Sequence, residues 1–278
     1  MSHEHPSVAI LGAGAMGEAL ALGLVAAGWN RDDIELAARR ADRARRVAAE
    51  TACKCTLDPT EILAGKDVVV VAVKPRDVHH LLEQIRFAVQ EDQIVLSLAA
   101  GVPTTVYEKV LGAIPVVRAM PNTPAIVREG ITGLAGGVHA TAAALDMTER
   151  ILAAVGRVTR LDENLLDAVT AISGTGPAYA FLLAEALTEA AIREGLPRDV
   201  AELLVHQTIK GAGHLLVDTE RSPFELRSEV TSPGGTTAAA MHILEERGFR
   251  ALIEDAVRAA AQRSRELGGF AVAAEDES

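Results

Sequence analysis

The chain's most constraining feature comes within its first seventeen residues. The short apolar run Val8-Ala9-Ile10-Leu11 is followed at once by Gly12-Ala13-Gly14-Ala15-Met16-Gly17. The run reads as a buried strand. From Glu18 to Ala27, Leu20 and Leu24 fall at helical spacing, and Gly28 closes the segment. Strand, glycine turn and helix in that order are the context a dinucleotide-binding fingerprint requires. Its three glycines allow the tight turn, the approach of a pyrophosphate, and close contact of helix and strand. The G-x-G-x-x-G spacing alone is a weak signal; directly after a strand it points to a nucleotide cofactor.

The next strand pattern is Asp33-Ile34-Glu35-Leu36-Ala37-Ala38. A site preferring NAD places an acid near the end of this strand to hold the ribose 2′-hydroxyl. Here the strand ends in Ala38-Arg39-Arg40. Two guanidinium groups suit a 2′-phosphate in charge and geometry, so NADP(H) is the preferred cofactor and NAD(H) is still admitted. The bland reading of Arg39 and Arg40 is a pair of solvated charges at a helix start.

Further strands are expected at Asp67–Val73, nearly all valine as in a parallel strand covered on both faces, at Gln93–Leu98 and at Pro115–Met120. Ligands of open parallel sheets bind beyond the carboxyl ends of the strands. That places Val73-Lys74-Pro75, Ala99 and Pro121-Asn122-Thr123-Pro124 on the cofactor side. Asn122 can bond a carboxamide there, or serve as an ordinary turn former. Edge strands are expected at Thr132–Gly136 and Arg157–Leu161, flanking a helix over Ala140–Ala154. The repeated β-α order gives a doubly wound parallel sheet over residues 1–161.

Beyond Leu161 the strand patterns stop, and residues 162–278 read as helices broken by glycine and proline. Asp162 is expected to cap a helix running to about Ile172, interrupted by Ser173-Gly174-Thr175-Gly176-Pro177. The following helix, with Tyr179, Leu182, Leu183, Ala186 and Leu187, is apolar almost all round, which calls for cover from a partner subunit. Glu229-Val230-Thr231-Ser232-Pro233-Gly234-Gly235-Thr236-Thr237 then leads into another helix. Ser232 is the expected N-cap with Pro233 at the first helical position. Free N–H groups at such a helix start suit a small carboxylate, and Ser232, Thr236 and Thr237 add hydroxyls. An ordinary capped helix start explains the same residues.

Lys+Arg 27 against Asp+Glu 38 gives 27 − 38 = −11, which argues against a nucleic-acid surface, as does an aromatic content of 3%. No apolar run approaches the roughly 20 residues of a membrane span, and the N-terminus lacks the pattern of a signal peptide. Cys53 and Cys55 read as packing residues of a cytoplasmic protein. No metal-ligand spacing stands out; His79 and His80 point apart on a helix.

These motifs together resemble the pyrroline-5-carboxylate reductase family nearly end to end: Gly12 to Gly17, Val73-Lys74-Pro75, Met120-Pro121-Asn122-Thr123-Pro124, Ser173-Gly174-Thr175-Gly176-Pro177-Ala178-Tyr179 and, most specific, Val230 to Thr237. The resemblance implies an N-terminal Rossmann domain holding NADPH, sometimes NADH, with Lys74-Pro75, Ala99 and Asn122 lining the cofactor site. It implies substrate held by Ser232, Gly234, Gly235, Thr236 and Thr237, with Thr237 beside the imine nitrogen as the catalytic position. It also implies a homodimer through the helical domain, and a decamer of such dimers. The alternative is a β-hydroxyacid dehydrogenase, which shares the glycine pattern but uses a lysine base; Lys210, the only lysine after Lys109, lacks the flanking motif.

Overall fold

The structure, a computed structural model, describes residues 5–276, with side chains as far as residue 268. The chain packs as two compact units: residues up to Thr175 together with those from Ala259 onward, and Gly176–Arg258.

The first unit is built on an eight-stranded sheet. Its elements are β1 (Val8–Leu11), α1 (Ala15–Ala26), β2 (Ile34–Ala37), α2 (Ala41–Thr51), β3 (Lys54–Thr56), β4 (Val68–Val71), α3 (Val78–Ile85), β5 (Ile94–Ser97), α4 (Thr104–Leu111), β6 (Val116–Met120), β7 (Gly130–Gly136), α5 (Ala142–Leu152), β8 (Gly156–Arg160) and the short α6 (Leu166–Val169). The strand order is β3-β2-β1-β4-β5-β6-β7-β8. The order reverses between β1 and β4, so the topological switch point lies at the carboxyl end of β1.

The central strands are buried on both faces, and every residue of β1 and β4 has no exposed surface. On one face Leu20 and Leu24 of α1, Val47 of α2 and Ile151 of α5 cover the sheet. On the other lie Val78, Leu82 and Ile85 of α3 with Val106 and Tyr107 of α4. Tyr107 is fully buried, and its hydroxyl meets that of Ser97 at 2.5 Å. Burial pushes its phenol well above the ordinary tyrosine range, although Ser97 and Arg118 pull the other way.

The sheet is not parallel throughout. β6 and β7 pair antiparallel, and β7 and β8 are parallel to each other, so the last two strands run against the first six. The reason is the link after β6. A parallel return needs a crossover of about a dozen residues or more, whereas residues 121–129 supply only a 3₁₀ turn at Thr123–Val127, closed by Arg128 in the left-handed region. β3 was not expected: it is three residues long and pairs only with β2. It carries Cys55, with buried Cys53 just before it, and both are free thiols.

Strands give way to helices at residue 161, but the packing boundary lies later, at Thr175. Residues 163–175 stay with the sheet because Glu163 and Asp167 reach buried Arg118 of β6, at 3.2 and 3.8 Å. The helix expected from Asp162 to Ile172 is instead a 3₁₀ turn, α6 and a π-helical turn at Thr170–Gly174. At Gly174 an added Cβ would lie 2.5 Å from Cε of Met120, so this turn packs close against the end of β6.

The second unit is helical: α7 (Gly176–Arg193), α8 (Arg198–Asp218), α9 (Pro223–Glu229) and α10 (Thr236–Glu246), followed by α11 (Phe249–Asp276), whose residues are shared with the first unit. In the single chain Phe181, Leu182, Leu183 and Leu187 of α7 and Leu203, Leu215 and Leu216 of α8 are exposed. Among the described residues no helix is long and apolar enough to cross a membrane, and no cluster of acids, histidines and cysteines could hold a metal ion.

Candidate active site

In the first unit the candidate cofactor site starts at the turn after β1. Its three glycines serve three different physical needs. Gly12 has φ +116°, and an added Cβ would lie 2.7 Å from the backbone carbonyl of Ala72, so this position joins two strand ends without a side chain between them. At Gly17 a Cβ would come within 2.1 Å of the Gly12 carbonyl oxygen, which sets the approach of α1 to the turn. At Gly14 a Cβ would meet nothing within 4 Å. That glycine borders open space beside the start of a helix.

Gly14 is also the N-cap of α1, and no side chain caps it. The first N–H groups of the helix, from Ala15, Met16 and Gly17, therefore have no partner within the helix. Together with the helix dipole they form an anion site. Both Gly12 N and Ala13 N donate to the Ala37 carbonyl, at 3.0 and 3.1 Å, which ties the turn to β2. An open, uncapped helix start behind a turn from which side chains are excluded fits a dinucleotide pyrophosphate.

The other residues singled out from the sequence follow along the same sheet edge. β2, β1, β4, β5 and β6 are neighbours and all parallel, so their carboxyl ends lie side by side. That edge carries, in order, Arg39, Gly12, Val73 with Lys74 and Pro75, Ala99, and Asn122. Ala99 is buried and leaves room without offering a functional group. Asn122 is buried, and its Oδ1 accepts from Ile131 N at 3.0 Å. The turn-forming role is thus real, and Nδ2 takes no part in that bond.

Arg39 and Arg40 follow β2 and are three-quarters exposed. Arg40 pairs with Asp42 at 3.2 Å. Arg39 reaches Asp77 at 3.1 Å, spanning from the end of β2 to the turn after β4. Exposed pairs of this kind contribute about 0–1 kcal/mol, so turning Arg39 toward a phosphate costs little. The Arg39→Ala variant is expected to weaken NADPH by about tenfold, the loss of one charge-assisted bond, and NADH hardly at all. Titration with both nucleotides checks this; equal losses would make Arg39 an ordinary surface charge. Sequence reasoning passed over Arg43, whose Nε donates to the Ala13 carbonyl at 2.5 Å. Its signal was a basic residue in the first turn of the helix that Arg39 and Arg40 lead into.

The second unit carries the segment before α10. Ser222 and Glu225 open α9 with a reciprocal capping box. Those bonds from Ser222 hold the Glu225 carboxyl below the usual carboxylate range. Thr231 Oγ1 donates to the Arg227 carbonyl at 2.6 Å where α9 ends. Ser232 is not the N-cap of the next helix. Residues 232–235 form a turn closed by Gly235 N donating to the Ser232 carbonyl at 3.0 Å, with Gly234 at φ +68°. The left-handed glycine delays the helix by three residues, so Gly235 becomes the N-cap and Thr236 the first helical residue. No side chain caps α10, so the N–H groups of Thr236, Thr237 and Ala238 lack helical partners. Ser232 and Thr236 are exposed and Thr237 is half-buried. The uncapped helix start thus lies at Gly235, one turn later than the sequence pattern placed it, with the hydroxyls of Thr236 and Thr237 on its first turn.

Residues 163–267 match the family model for pyrroline-5-carboxylate reductase dimerisation. Residues 7–101 match the model described as NADP oxidoreductase, coenzyme F420-dependent. The chain is 42% identical over 264 residues to a pyrroline-5-carboxylate reductase of Pseudomonas aeruginosa, covering 94% of this chain and 97% of the relative. It belongs to the pyrroline-5-carboxylate reductase family. A human member, pyrroline-5-carboxylate reductase 2, is 40% identical, with 95% of this chain and 85% of the relative covered. Among solved structures, the family member from Coxiella burnetii superposes with a TM-score of 0.90 at 39% identity, covering 95% of this chain and 99% of the other. The Plasmodium falciparum enzyme, solved with NADP bound, gives 0.86 at 28% identity, covering 96% and 100%.

Proposed function

We propose that this chain reduces 1-pyrroline-5-carboxylate to L-proline with NADPH, the last step of proline synthesis. The observation that carries this reading is the uncapped start of α10, with three unpartnered amides and the hydroxyls of Thr236 and Thr237, in a chain whose first unit holds an open glycine cradle. NADPH held by its pyrophosphate at that cradle would supply a hydride from its nicotinamide C4 to the imine carbon.

The chain's own residues bind and orient. Ala15, Met16 and Gly17 offer amides to the pyrophosphate, Arg39 and Arg40 face the 2′-phosphate, and Val73, Lys74, Pro75, Ala99 and Asn122 border the remainder of the cofactor. Ser232, Gly234, Gly235 and Thr236 hold the substrate carboxylate. Thr237 donates to the imine nitrogen. A threonine hydroxyl is a weak acid, so its work is to fix the ring and stabilise the nitrogen as charge develops there.

The strands within residues 1–161 serve the cofactor and the helices within 162–278 serve substrate and dimerisation, although residues 163–175 and those from Ala259 onward pack with the first unit. The exposed leucines of α7 and α8 support burial in a homodimer, which assembles further into a decamer in the cytoplasm. Lys210 is exposed on α8 beside Gly211, which gives no support to a lysine base of the β-hydroxyacid dehydrogenase kind.

NADPH oxidation on addition of pyrroline-5-carboxylate tests the reading; folded protein without turnover would reject it. The Thr237→Ala variant is expected to lose about 10²-fold in kcat, the usual consequence of removing one positioned donor. Its NADPH Kd should stay unchanged, and Thr237→Ser should recover most of the rate. Full turnover in the alanine variant would remove the role given to this hydroxyl.

A further inference from the structure

Glu18 lies in the first turn of α1, beside the anion site. A bare carboxylate there would repel a pyrophosphate. Its side chain is 15% exposed and is clasped from α2: the Arg43 guanidinium bonds Oε2, and Arg46 reaches the same oxygen at 3.1 Å. Arg46 also approaches Glu50 at 3.5 Å. Two acids and two arginines make the group charge-balanced.

Arg43 does a second thing. Its Nε donates to the Ala13 carbonyl. The peptide bond is planar and trans, so the Ala13 C=O and the Gly14 N–H point in opposite directions. Holding the carbonyl toward α2 aims the Gly14 N–H away from α2. The side-chain position at Gly14 is open on that turn.

We infer that Arg43, acting through Glu18 and the Ala13 carbonyl, is the positioning residue for the pyrophosphate half of the cofactor site. It neutralises the acid in the first helical turn and orients the Gly14 amide. It does not read the 2′-phosphate. This rests on the cofactor reading above and is independent of which imine is reduced. Because the pyrophosphate is common to both nucleotides, the inference separates Arg43 from Arg39: the first acts on NADPH and NADH alike, the second on NADPH alone.

The test is direct binding to the purified full-length protein, read by the nucleotides' own fluorescence, with a thermal melt of each variant alone. The Arg43→Met variant is expected to raise Kd about tenfold for both nucleotides, leaving their ratio unchanged. Adding Glu18→Gln to Arg43→Met should restore at least half of that loss on a logarithmic scale, because the uncompensated carboxylate is gone. Arg43→Lys, which keeps the charge but not the fork, should fall between wild type and Arg43→Met, and it serves in place of Arg43→Met should that variant melt early. A loss confined to NADPH would make Arg43 a 2′-phosphate ligand and overturn the inference. Unchanged Kd in a folded variant, or no recovery on adding Glu18→Gln, would overturn it as well. Wild-type protein that binds neither nucleotide would instead defeat the cofactor assignment.

Discussion

The Gly17→Ala variant is expected to melt about 2–5 °C below wild type and to bind NADPH at least a hundredfold more weakly, whereas Gly14→Ala should melt normally and still bind poorly. The contrast follows from what each added methyl meets. At Gly17 it would lie 2.1 Å from the Gly12 carbonyl oxygen and 3.1 Å from Cγ2 of Ile10. Backbone cannot rotate aside as a side chain can, so α1 must lift from the turn. Overpacking of this order costs roughly 1–3 kcal/mol, which in a chain of this size lowers Tm by the stated amount. The helix start moves with it, and the amides at Ala15 and Met16 no longer converge on one anion. At Gly14 the methyl meets nothing within 4 Å, so the folded state is untouched and only a ligand would feel it. Differential scanning calorimetry with nucleotide titration of both variants decides the matter. Equal melting temperatures for the two would remove the packing role given to Gly17, and full affinity in Gly14→Ala would remove the ligand role given to Gly14.

Much of this arrangement was legible in the residues. The strand, glycine turn and helix at Val8–Ala26 are local features, each determined within a few residues, and the valines of β4 announce burial on both faces. The carboxyl ends of parallel strands have one address in such a sheet, so Lys74, Ala99 and Asn122 could be placed on it without coordinates. What escaped was set by long-range contact or by single backbone angles. β3 is too short for a period, and the antiparallel return of β7 depends on the length of the 121–129 link. The start of α10 slipped from Ser232 to Gly235 because Gly234 takes φ +68°, and nothing in a Ser-Pro-Gly-Gly string distinguishes that from a cap at the serine. Arg43 and Glu18 stand 25 residues apart, and only the packing of α1 beside α2 makes them partners. The boundary at Thr175 escaped for a similar reason, since it depends on a buried arginine 45 residues before its acid.

That arginine carries the second large effect. Arg118→Leu is expected to destabilise the first unit by about 3 kcal/mol, more than any surface substitution. Arg118 is 6% exposed on β6, with Glu163 at 3.2 Å and Asp167 at 3.8 Å. Glu163 is committed elsewhere too: its carboxylate accepts from Thr104 N at 2.8 Å and Thr104 Oγ1 at 2.7 Å, capping α4. Asp167 accepts from Ser264 Oγ at 2.6 Å, so one cluster joins strand β6, helix α4, the 163–175 segment and helix α11. Leucine fills the volume but leaves two partly buried carboxylates facing each other without a cation. The cost arises from that uncompensated pair more than from the loss of the ion pair itself. Arg118→Lys should cost less, because it keeps the charge while losing the fork that reaches both acids. Adding Glu163→Gln to Arg118→Leu should recover part of the loss, since glutamine keeps an acceptor for Thr104 and removes one charge. Urea titration of the three variants measures this. A loss below about 1 kcal/mol in Arg118→Leu, the range of an exposed pair, would mean that water reaches the two acids and that this cluster does not hold the 163–175 segment to the sheet.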